Sequence, residues 1–512
     1  MQILCSRGER GGMRHAGLLE HDPEKCVAVF RKDHAQTKAQ SAMAIQPNPI
    51  ARWGVRHQAT SARPHMQILT RIGLALAWFT GLASVFAAAN KNDPYLTWLR
   101  GAGNAVVVVA SLVVVTLMIR RGVWRGGGWP GRLLLLLWVL PPVAMQWAET
   151  SFEVRKWRVL NTDAARANML GWHFVVGYSS FNEVARLADR GLISGVYITR
   201  HNVLGAGGTA EALRSEIAAL QARRRVAGLP PLTVAADQEG GIVAHLAPPL
   251  TALPALSTLA ELPSDVRAGK AEAFGRTHGR ELAALGVTQN FAPVLDLLPD
   301  IKRNPFDFHT LIGQRAIAND PAVVSAIALA YVRGLEASGV AATVKHFPGL
   351  GRLRTDTHHF RAALDTPRDV LEASDWRPFR DVLAGSNAQL MIGHVNLTAV
   401  DPDRPASHSK AVVDGLIRKQ WNYQGVIITD DLVMGAIYGH DVCTAVVEAL
   451  NAGVDSLLVA YDGAQFYRIF ACASEAAAAG QLDLATLHES EMRLEAQRGF
   501  VAPRVAAQRA GD

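Results

Sequence analysis

Eight short apolar runs recur between residues 173 and 459, and longer amphipathic stretches separate most of them. Such alternation is typical of repeated β-α units, in which a parallel sheet is covered on both faces. Eight units in about 340 residues fit a closed (β/α)8 barrel, and a doubly wound open sheet is the alternative. The predicted strands are 173–177, 195–199, 232–236, 290–295, 341–344, 389–394, 426–429 and 455–459, with helices at 209–227, 268–285, 321–338 and 411–420.

Polar residues follow five of the predicted strands. A barrel of this type carries its catalytic residues at the carboxyl ends of its strands, so these side chains should meet at one mouth. Two of them have structural alternatives: Asp296 could equally well cap a helix or hold a loop, and Glu239 could be the partner of another site residue. The strand-end residues are Asp237, Gln238 and Glu239, then Asp296, then Lys345 and His346, then His394, and finally Asp430 and Asp431.

The part of the chain before residue 150 is much more apolar than the rest and accounts for most of the mean hydropathy of +0.10. Three segments, 72–89, 105–119 and 133–147, each approach the roughly 20 residues that a membrane crossing needs. Pro141 and Pro142 interrupt the third, which neighbouring helices can tolerate. We therefore divide the 512 residues into a disordered basic segment (1–65), a membrane region with three transmembrane helices (66–150) and a catalytic domain (151–512).

The distribution of basic residues gives an expected orientation. The net charge of +7 comes without an array of Lys or Arg interleaved with aromatics, so we expect no nucleic-acid partner. Arg120, Arg121, Arg125 and Arg132 flank the loop between the second and third segments, and such arginines favour the cytoplasm. A multi-pass protein of the cytoplasmic membrane, with its catalytic domain on the periplasmic or external side, is the prediction. The tetrapeptide at the start of the chain recurs at Met66, which is an alternative start.

The four cysteines give no disulfide framework by their spacing. Cys443 and Cys472 fall in apolar, predicted helical stretches and are expected to be core residues. No HExxH-type spacing is present, and the adjacent His358 and His359 cannot readily direct both rings at one ion. We therefore predict neither a metal nor another cofactor.

The strand-end residues suit glycoside hydrolysis, in which one group attacks the anomeric carbon and another protonates the leaving oxygen. Four ordered motifs carry a family resemblance: Asp237-Gln-Glu-Gly-Gly, Lys345-His-Phe-Pro-Gly, Asp356-Thr-His and Gly425-Val-Ile-Ile-Thr-Asp-Asp-Leu. Together they resemble glycoside hydrolase family 3, and more narrowly its single-domain β-N-acetylhexosaminidase branch. The resemblance covers about residues 160–499.

The resemblance implies catalytic roles for three residues. Asp430 matches the family's nucleophile, and His358 matches its acid/base, a histidine paired with the aspartate two residues earlier, Asp356. An imidazole titrates near neutrality and can both donate and accept a proton, which makes that role chemically sound.

The resemblance also implies a set of sugar-binding residues: Asp237, Arg315, Lys345, His346 and His245. Arg315 matches a substrate arginine, whereas His245 and Ile242 stand where the family commonly has arginines. Leu350 replaces a common histidine, and Val433 replaces a small or polar residue.

The predicted function is that of a membrane-anchored, retaining exo-β-N-acetylglucosaminidase acting on carbohydrate, with peptidoglycan fragments as the favoured substrate class. A β-glucosidase and a phosphorylase of the same family are alternatives within the enzyme class. A membrane-tethered glycan-binding protein without turnover is the alternative from another class.

Overall fold

A closed barrel of eight parallel strands forms the larger part of the chain. The computed structural model describes residues 64–299, 309–438 and 441–509, and the side chains of 64–70, 438 and 500–509 fall outside the description. Each strand pairs with the next along the chain and the eighth pairs with the first, so the predicted barrel is confirmed and the open sheet is wrong. The strands are β1 (Phe174–Gly177), β2 (Gly195–Ile198), β3 (Thr233–Ala236), β4 (Gln289–Asn290), β5 (Ala341–Phe347), β6 (Gln389–Ile392), β7 (Ile427–Asp431) and β8 (Ser456–Val459).

Helices alternate with these strands as predicted, and their ends carry local signals. The helix Pro321–Glu336, for example, begins with proline at its first position, and the Asp320 side chain accepts a hydrogen bond from Ala322 N at 2.8 Å. The α-helices of the barrel are Ala164–Gly171, Phe181–Asp189, Arg200–Gly205, Ala210–Val226, Ser257–Ala260, Ser264–Leu285, Ile312–Arg315, Pro321–Glu336, Arg368–Ala373, Arg377–Gly385, Gly435–Tyr438, Val442–Ala452, Phe466–Ala478 and Leu484–Arg509. Ala411–Gln420 is a π-helix, and Ala406–His408 and Gly463–Gln465 are 3-10 turns.

The core of the barrel has two layers. One apolar cluster packs the outer faces of the strands against the helices. A second, smaller cluster takes one residue from most strands and fills the barrel interior, so the mouth has a solid floor. Its members are Val175, Tyr197, Ala235, Phe291, Met391, Ile428 and Leu458.

Three long apolar helices precede the barrel: Pro64–Ala89, Ala102–Arg120 and Gly128–Leu160. Each is long and apolar enough to cross a membrane. Large apolar side chains such as Phe79 and Val106 lie on their outer surfaces. The third helix accommodates Pro141 and Pro142 and continues to Leu160. Residues 91–100 lie between the first two helices and are called the linking segment. They contain the 3-10 helix Pro94–Leu99.

The third helix continues from its apolar part onto the side of the barrel. Phe152 packs edge to face on Tyr467, with ring centroids 5.8 Å apart. Lys156 Nζ lies 2.7 Å from Glu183 Oε1, and Val159 joins the strand-helix core. These contacts fix the apolar helices to the barrel.

The structure corrects the prediction for two cysteines. Cys443 and Cys472 form a disulfide that joins the helices Val442–Ala452 and Phe466–Ala478, with Cα atoms 5.0 Å apart. Their spacing gave no hint of pairing because the two helices become neighbours only through the barrel. Cys5 and Cys26, and all but the last two residues of the predicted disordered segment 1–65, lie outside the described residues.

Candidate active site

The polar residues predicted at the strand ends meet at the carboxyl-terminal mouth of the barrel. Asp237 directly follows β3, and Lys345 and His346 are among the last three residues of β5. Asp430 is the second-last residue of β7. Because parallel strands present their carboxyl ends on one face, all four side chains face the same opening.

One side of the mouth is a buried network of opposite charges. The Lys345 ammonium contacts the carboxylate of Asp237 and lies 2.6 Å from Glu239 Oε1. Arg315 donates two parallel hydrogen bonds to the same Glu239, from Nε to Oε2 at 3.0 Å and from Nη2 to Oε1 at 2.7 Å. Such forked, charge-assisted bonds are among the stronger ones in proteins, and they hold the cluster rigid.

The charges in this network keep each other ionised. Burial raises the pKa of Asp237, but the neighbouring Lys345 ammonium outweighs it and holds that pKa below its ordinary value. Burial lowers the pKa of Lys345, and the carboxylates of Asp237 and Glu239 more than restore it. Tyr197 adds a hydroxyl that donates to Asp237 Oδ2 at 2.6 Å. The network therefore presents fixed donors and acceptors, as recognition of a hydroxyl-rich ligand requires.

His346 is oriented by the fully buried Asp296, whose Oδ2 lies 2.7 Å from His346 Nδ1. The other oxygen of Asp296 accepts from Leu350 N at 2.6 Å, so this carboxylate also holds the loop after β5. The Leu350 side chain is buried in the core and gives the mouth no polar group. Of the two readings of Asp296 left open by the sequence, the structure supports the loop-holding one.

His245 lies beside the charged network. Its backbone N donates to Asp237 O at 3.1 Å, and the charge of its imidazole helps to lower the pKa of Asp237. The predicted sugar-binding residues Asp237, Arg315, Lys345, His346 and His245 are thus neighbours in space.

Asp430 and Asp431 are adjacent in sequence, but the pKa values of their carboxyl groups are shifted in opposite directions. Burial raises the pKa of Asp430, but the imidazoles of His346, His394 and His358 and the backbone N–H of Asp431 together lower it. Burial raises the pKa of Asp431 to about 6. Asp431 accepts from three backbone groups, Val433 N at 3.0 Å, Ala460 N at 2.9 Å and Tyr461 N at 2.7 Å. Asp431 therefore ties β7 to the loop after β8, whereas Asp430 is the ionised group that faces the mouth.

His394, at the end of β6, supports the same loop. Its Nε2 lies 3.0 Å from Asp431 O, and its Nδ1 lies 2.8 Å from Ser407 Oγ. Burial lowers its pKa, which favours the neutral ring. Both nitrogens of the His394 ring are therefore hydrogen-bonded, which suits a structural role and not proton transfer.

The loop after β5 brings His358 and Asp356 together as a hydrogen-bonded pair. His358 Nδ1 lies 2.9 Å from Asp356 Oδ1, and the same oxygen accepts from His358 N at 2.9 Å and from Thr310 Oγ1 at 2.9 Å. Burial raises the pKa of Asp356, but the bonds from His358 outweigh it and lower that pKa well below its ordinary value. The Asp356 side chain is 1% exposed and that of His358 is 37% exposed. A buried carboxylate thus orients an accessible imidazole.

Among the described residues, one group of side chains could hold a metal ion, and it lies beside this pair. His309, Asp356 and His359 place potential ligand atoms within 4.8 Å of one another. His359 Nε2 lies 3.0 Å from His309 Nδ1.

Sequence patterns alone do not single out the residues that connect the two sides of the mouth. Thr310 bridges them, because its carbonyl accepts from Arg315 Nη1 at 2.9 Å while its hydroxyl donates to Asp356. Its nearness to the motif of Arg315 is the available signal. Tyr197, inside β2, reads as an ordinary apolar strand residue.

This arrangement can now be compared with known proteins. The profile described as Glycosyl hydrolase family 3 N terminal domain matches residues 176–496, which is most of the barrel. The chain belongs to glycoside hydrolase family 3. It is therefore a glycoside hydrolase, and the family resemblance predicted from the four motifs is confirmed.

Similar proteins match about half to two thirds of this chain. A β-hexosaminidase of Xanthomonas axonopodis pv. citri is 36% identical over 257 residues, which cover 49% of this chain and 73% of that protein. A β-hexosaminidase of Xylella fastidiosa is 35% identical over 286 residues, covering 55% and 80%. The solved structure of a family 3 β-N-acetylglucosaminidase from Paenibacillus sp. str. FPU-7 superposes with a TM-score of 0.59 at 30% identity, covering 66% of this chain and 62% of that one.

Proposed function

We propose that this family 3 enzyme is a membrane-anchored, retaining exo-β-N-acetylglucosaminidase that removes terminal β-linked N-acetylglucosamine. The observation that carries the proposal is the pairing, in one mouth, of the ionised Asp430 with an accessible His358 held by Asp356. The relatives named β-hexosaminidase and β-N-acetylglucosaminidase support the choice of sugar.

The proposed mechanism has two displacement steps. In the first, an Asp430 oxygen bonds to the anomeric carbon while His358 gives its proton to the departing glycosidic oxygen, leaving a glycosyl ester on Asp430. In the second, His358 takes a proton from a water molecule whose oxygen attacks the anomeric carbon, and the Asp430 carboxylate departs. Asp356 stabilises the imidazolium whenever it forms, as a neighbouring opposite charge does.

The charged network holds the sugar in this proposal. Lys345 and Arg315 offer N–H donors, and Asp237 offers an acceptor, all fixed by their mutual ion pairs. Groups fixed before the substrate arrives lose little entropy on binding, which favours a defined position of the anomeric carbon over Asp430. His346 and His245 complete the rim.

The membrane part of the proposal rests on different observations. Three helices have the length and composition to cross a membrane, and the arginine-containing loop at residues 120–132 favours the cytoplasm. The disulfide between Cys443 and Cys472 supports an oxidising compartment for the barrel. An external barrel has access to cell-wall glycan, so peptidoglycan fragments are the proposed source of the sugar.

The test uses the full-length protein in detergent with aryl β-N-acetylglucosaminide and aryl β-glucoside. We expect turnover of the amino sugar, and a loss of at least about a thousandfold for Asp430→Asn, as removal of a covalent nucleophile causes. The exposed Asp265→Asn is the matched control and should retain full activity. Full activity in Asp430→Asn would refute the assigned nucleophile.

The remaining outcomes separate the alternatives. Preference for the glucoside indicates a β-glucosidase, and phosphate-dependent release of a sugar phosphate indicates a phosphorylase. Sugar binding without turnover of either substrate indicates a glycan-binding protein. For His358→Ala we expect kcat/KM, which reports the first displacement step, to fall about a hundred- to ten-thousandfold with a poor leaving group and much less with a good one.

A further inference from the structure

The linking segment between the first two apolar helices lies on the rim of the active site. Its first residues attach it to the third helix, where Lys91 pairs with Glu149 and Asn92 Nδ2 donates to Ala148 O at 2.9 Å. The Asp93 side chain accepts from Tyr95 N at 2.9 Å and begins the 3-10 helix. The segment therefore has a defined conformation.

Its last residue attaches the linking segment to the barrel. Arg100 makes a forked pair with Asp462, Nη1 to Oδ1 at 2.9 Å and Nη2 to Oδ2 at 2.6 Å. Asp462 follows β8 and its side chain is 8% exposed. Gln465 Nε2 bridges the same two parts, since it donates to Asp462 Oδ2 at 2.7 Å and to Asn92 O at 2.7 Å. The contact joins a membrane-region loop to the carboxyl end of a barrel strand.

Between these two attachments, Tyr95 reaches the loop that carries the acid/base histidine. Its hydroxyl donates to His358 O at 2.9 Å, and its ring centroid lies 5.9 Å from that of His359. The same His358 carbonyl accepts from Gly435 N at 2.7 Å, on the chain that follows Asp430. The backbone of His358 is thus held from two sides, by the β7 loop and by the membrane region.

The Tyr95 hydroxyl lies so close to position 435 that a side chain there would collide with it. A Cβ atom at position 435 would lie 2.8 Å from the Tyr95 hydroxyl and 3.0 Å from His358 O. Glycine at this position therefore allows the Tyr95 side chain and the backbone of the His358 loop to approach the backbone at position 435. Burial, with Asp93 adding to it, raises the pKa of Tyr95, so its hydroxyl keeps the proton that it donates.

We propose that Tyr95 is a positioning residue that holds His358 over Asp430, so that the membrane region completes the active site of the barrel. The inference rests on the proposed role of His358 as acid/base. The sugar-holding network is fixed by ion pairs inside the barrel, whereas the His358 loop receives one of its two carbonyl bonds from outside it. Loss of that bond should affect proton transfer more than sugar binding.

The test compares Tyr95→Phe with Trp98→Phe in the full-length protein. Trp98 lies on the same segment and is 67% exposed, so its variant controls for a general effect of altering the segment. For Tyr95→Phe we expect kcat/KM with an alkyl β-N-acetylglucosaminide, which reports the first displacement step, to fall about three- to tenfold, as loss of one hydrogen bond implies. The kcat/KM with an activated aryl substrate should change much less, because a good leaving group needs little protonation in that step.

Hydrogen exchange gives a readout that does not depend on activity. Amides in residues 352–361 should exchange faster in Tyr95→Phe than in the wild type or Trp98→Phe, with exchange in β1 and β8 unchanged. Unchanged exchange in this loop, or an equal loss of kcat/KM with both substrates, would overturn the inference. A wild-type protein that hydrolyses neither substrate would instead refute the proposed function, and the exchange comparison would still decide whether Tyr95 holds the loop.

Discussion

At the residue scale, neighbouring ionisable groups in the mouth have different pKa values because their surroundings differ. Asp430 and Asp431 are adjacent in sequence, yet imidazoles surround the first and backbone N–H groups of the β8 loop bind the second. Because the pKa of Asp430 lies below its ordinary value, its carboxylate is present above that value and is lost only as the pH falls through the lowered pKa. Asp430 is therefore ionised throughout the neutral and mildly acidic range.

Arg315 gives a prediction at this scale. Arg315→Lys keeps the charge but loses the fork to Glu239 and the bond to Thr310 O, because an ammonium is a point charge. We expect kcat/KM for the aryl amino sugar to fall about ten- to a hundredfold, from the loss of charge-assisted bonds. Arg333→Lys, an exposed change on a neighbouring helix, is the control. Equal kcat/KM in both variants would show that the fork is dispensable.

The residues of this site were predictable to different degrees. Asp237, Lys345 and His346 follow apolar runs, so their position at strand ends was visible in the sequence. Their roles came from the family resemblance and remain predictions. For Thr310 the sequence offered only its nearness to the Arg315 motif, because its importance lies in two contacts, to Arg315 and Asp356, that exist only once the loops have folded.

At the element scale, the strands show where local patterns succeed and where they fail. All eight apolar runs overlap strands, but β4 (Gln289–Asn290) shares only Asn290 with its predicted run, because Pro293 soon interrupts that run and has no N–H for the ladder. β5 instead continues through Lys345 and His346 to Phe347. Charged residues extend a buried strand here because Asp237, Glu239 and Asp296 pair with them, which a reading of local hydropathy cannot detect.

The disulfide gives a prediction at the element scale. Cys443 and Cys472 join two helices across a separation of 29 residues, and bridges of this kind typically stabilise by about 2–4 kcal/mol. Thiol titration of the unfolded, unreduced protein should find two free thiols, those of Cys5 and Cys26. Cys443→Ser with Cys472→Ser should lower the free energy of unfolding by about that amount, whereas Cys5→Ser with Cys26→Ser should not. Four free thiols without reductant would contradict the pairing.

At the scale of the whole molecule, the chain combines a family 3 barrel with three apolar helices that lie before the residues 176–496 matched by the family profile. The composition of those helices was visible in the sequence. The contact between Tyr95 and His358 was not, because 263 residues separate them and no local pattern marks the pair. If the three apolar helices cross a membrane as proposed, the linking segment follows one crossing and the barrel follows three, so both lie on the same side whichever way the helices are oriented.

The orientation itself is a prediction for the whole molecule. In a background with Cys5→Ser and Cys26→Ser, we expect Ala479→Cys, on the exposed end of a barrel helix, to react with an impermeant maleimide in spheroplasts. Gly126→Cys, in the arginine-containing loop, should react only after lysis, because that loop is expected in the cytoplasm. The reverse pattern would place the barrel in the cytoplasm.

The path of the third helix has a consequence for how glycan reaches the enzyme. That helix passes the rim near Ala148, where Asn92 binds it, and then runs beside Tyr467 before ending at Leu160. The barrel mouth therefore opens toward the side from which the apolar helices emerge. If those helices cross the membrane as proposed, sugars must enter sideways through the narrow layer of solvent between barrel and lipid headgroups. Chain ends lying close to the bilayer would be trimmed, and distant, rigid wall strands would be left untouched.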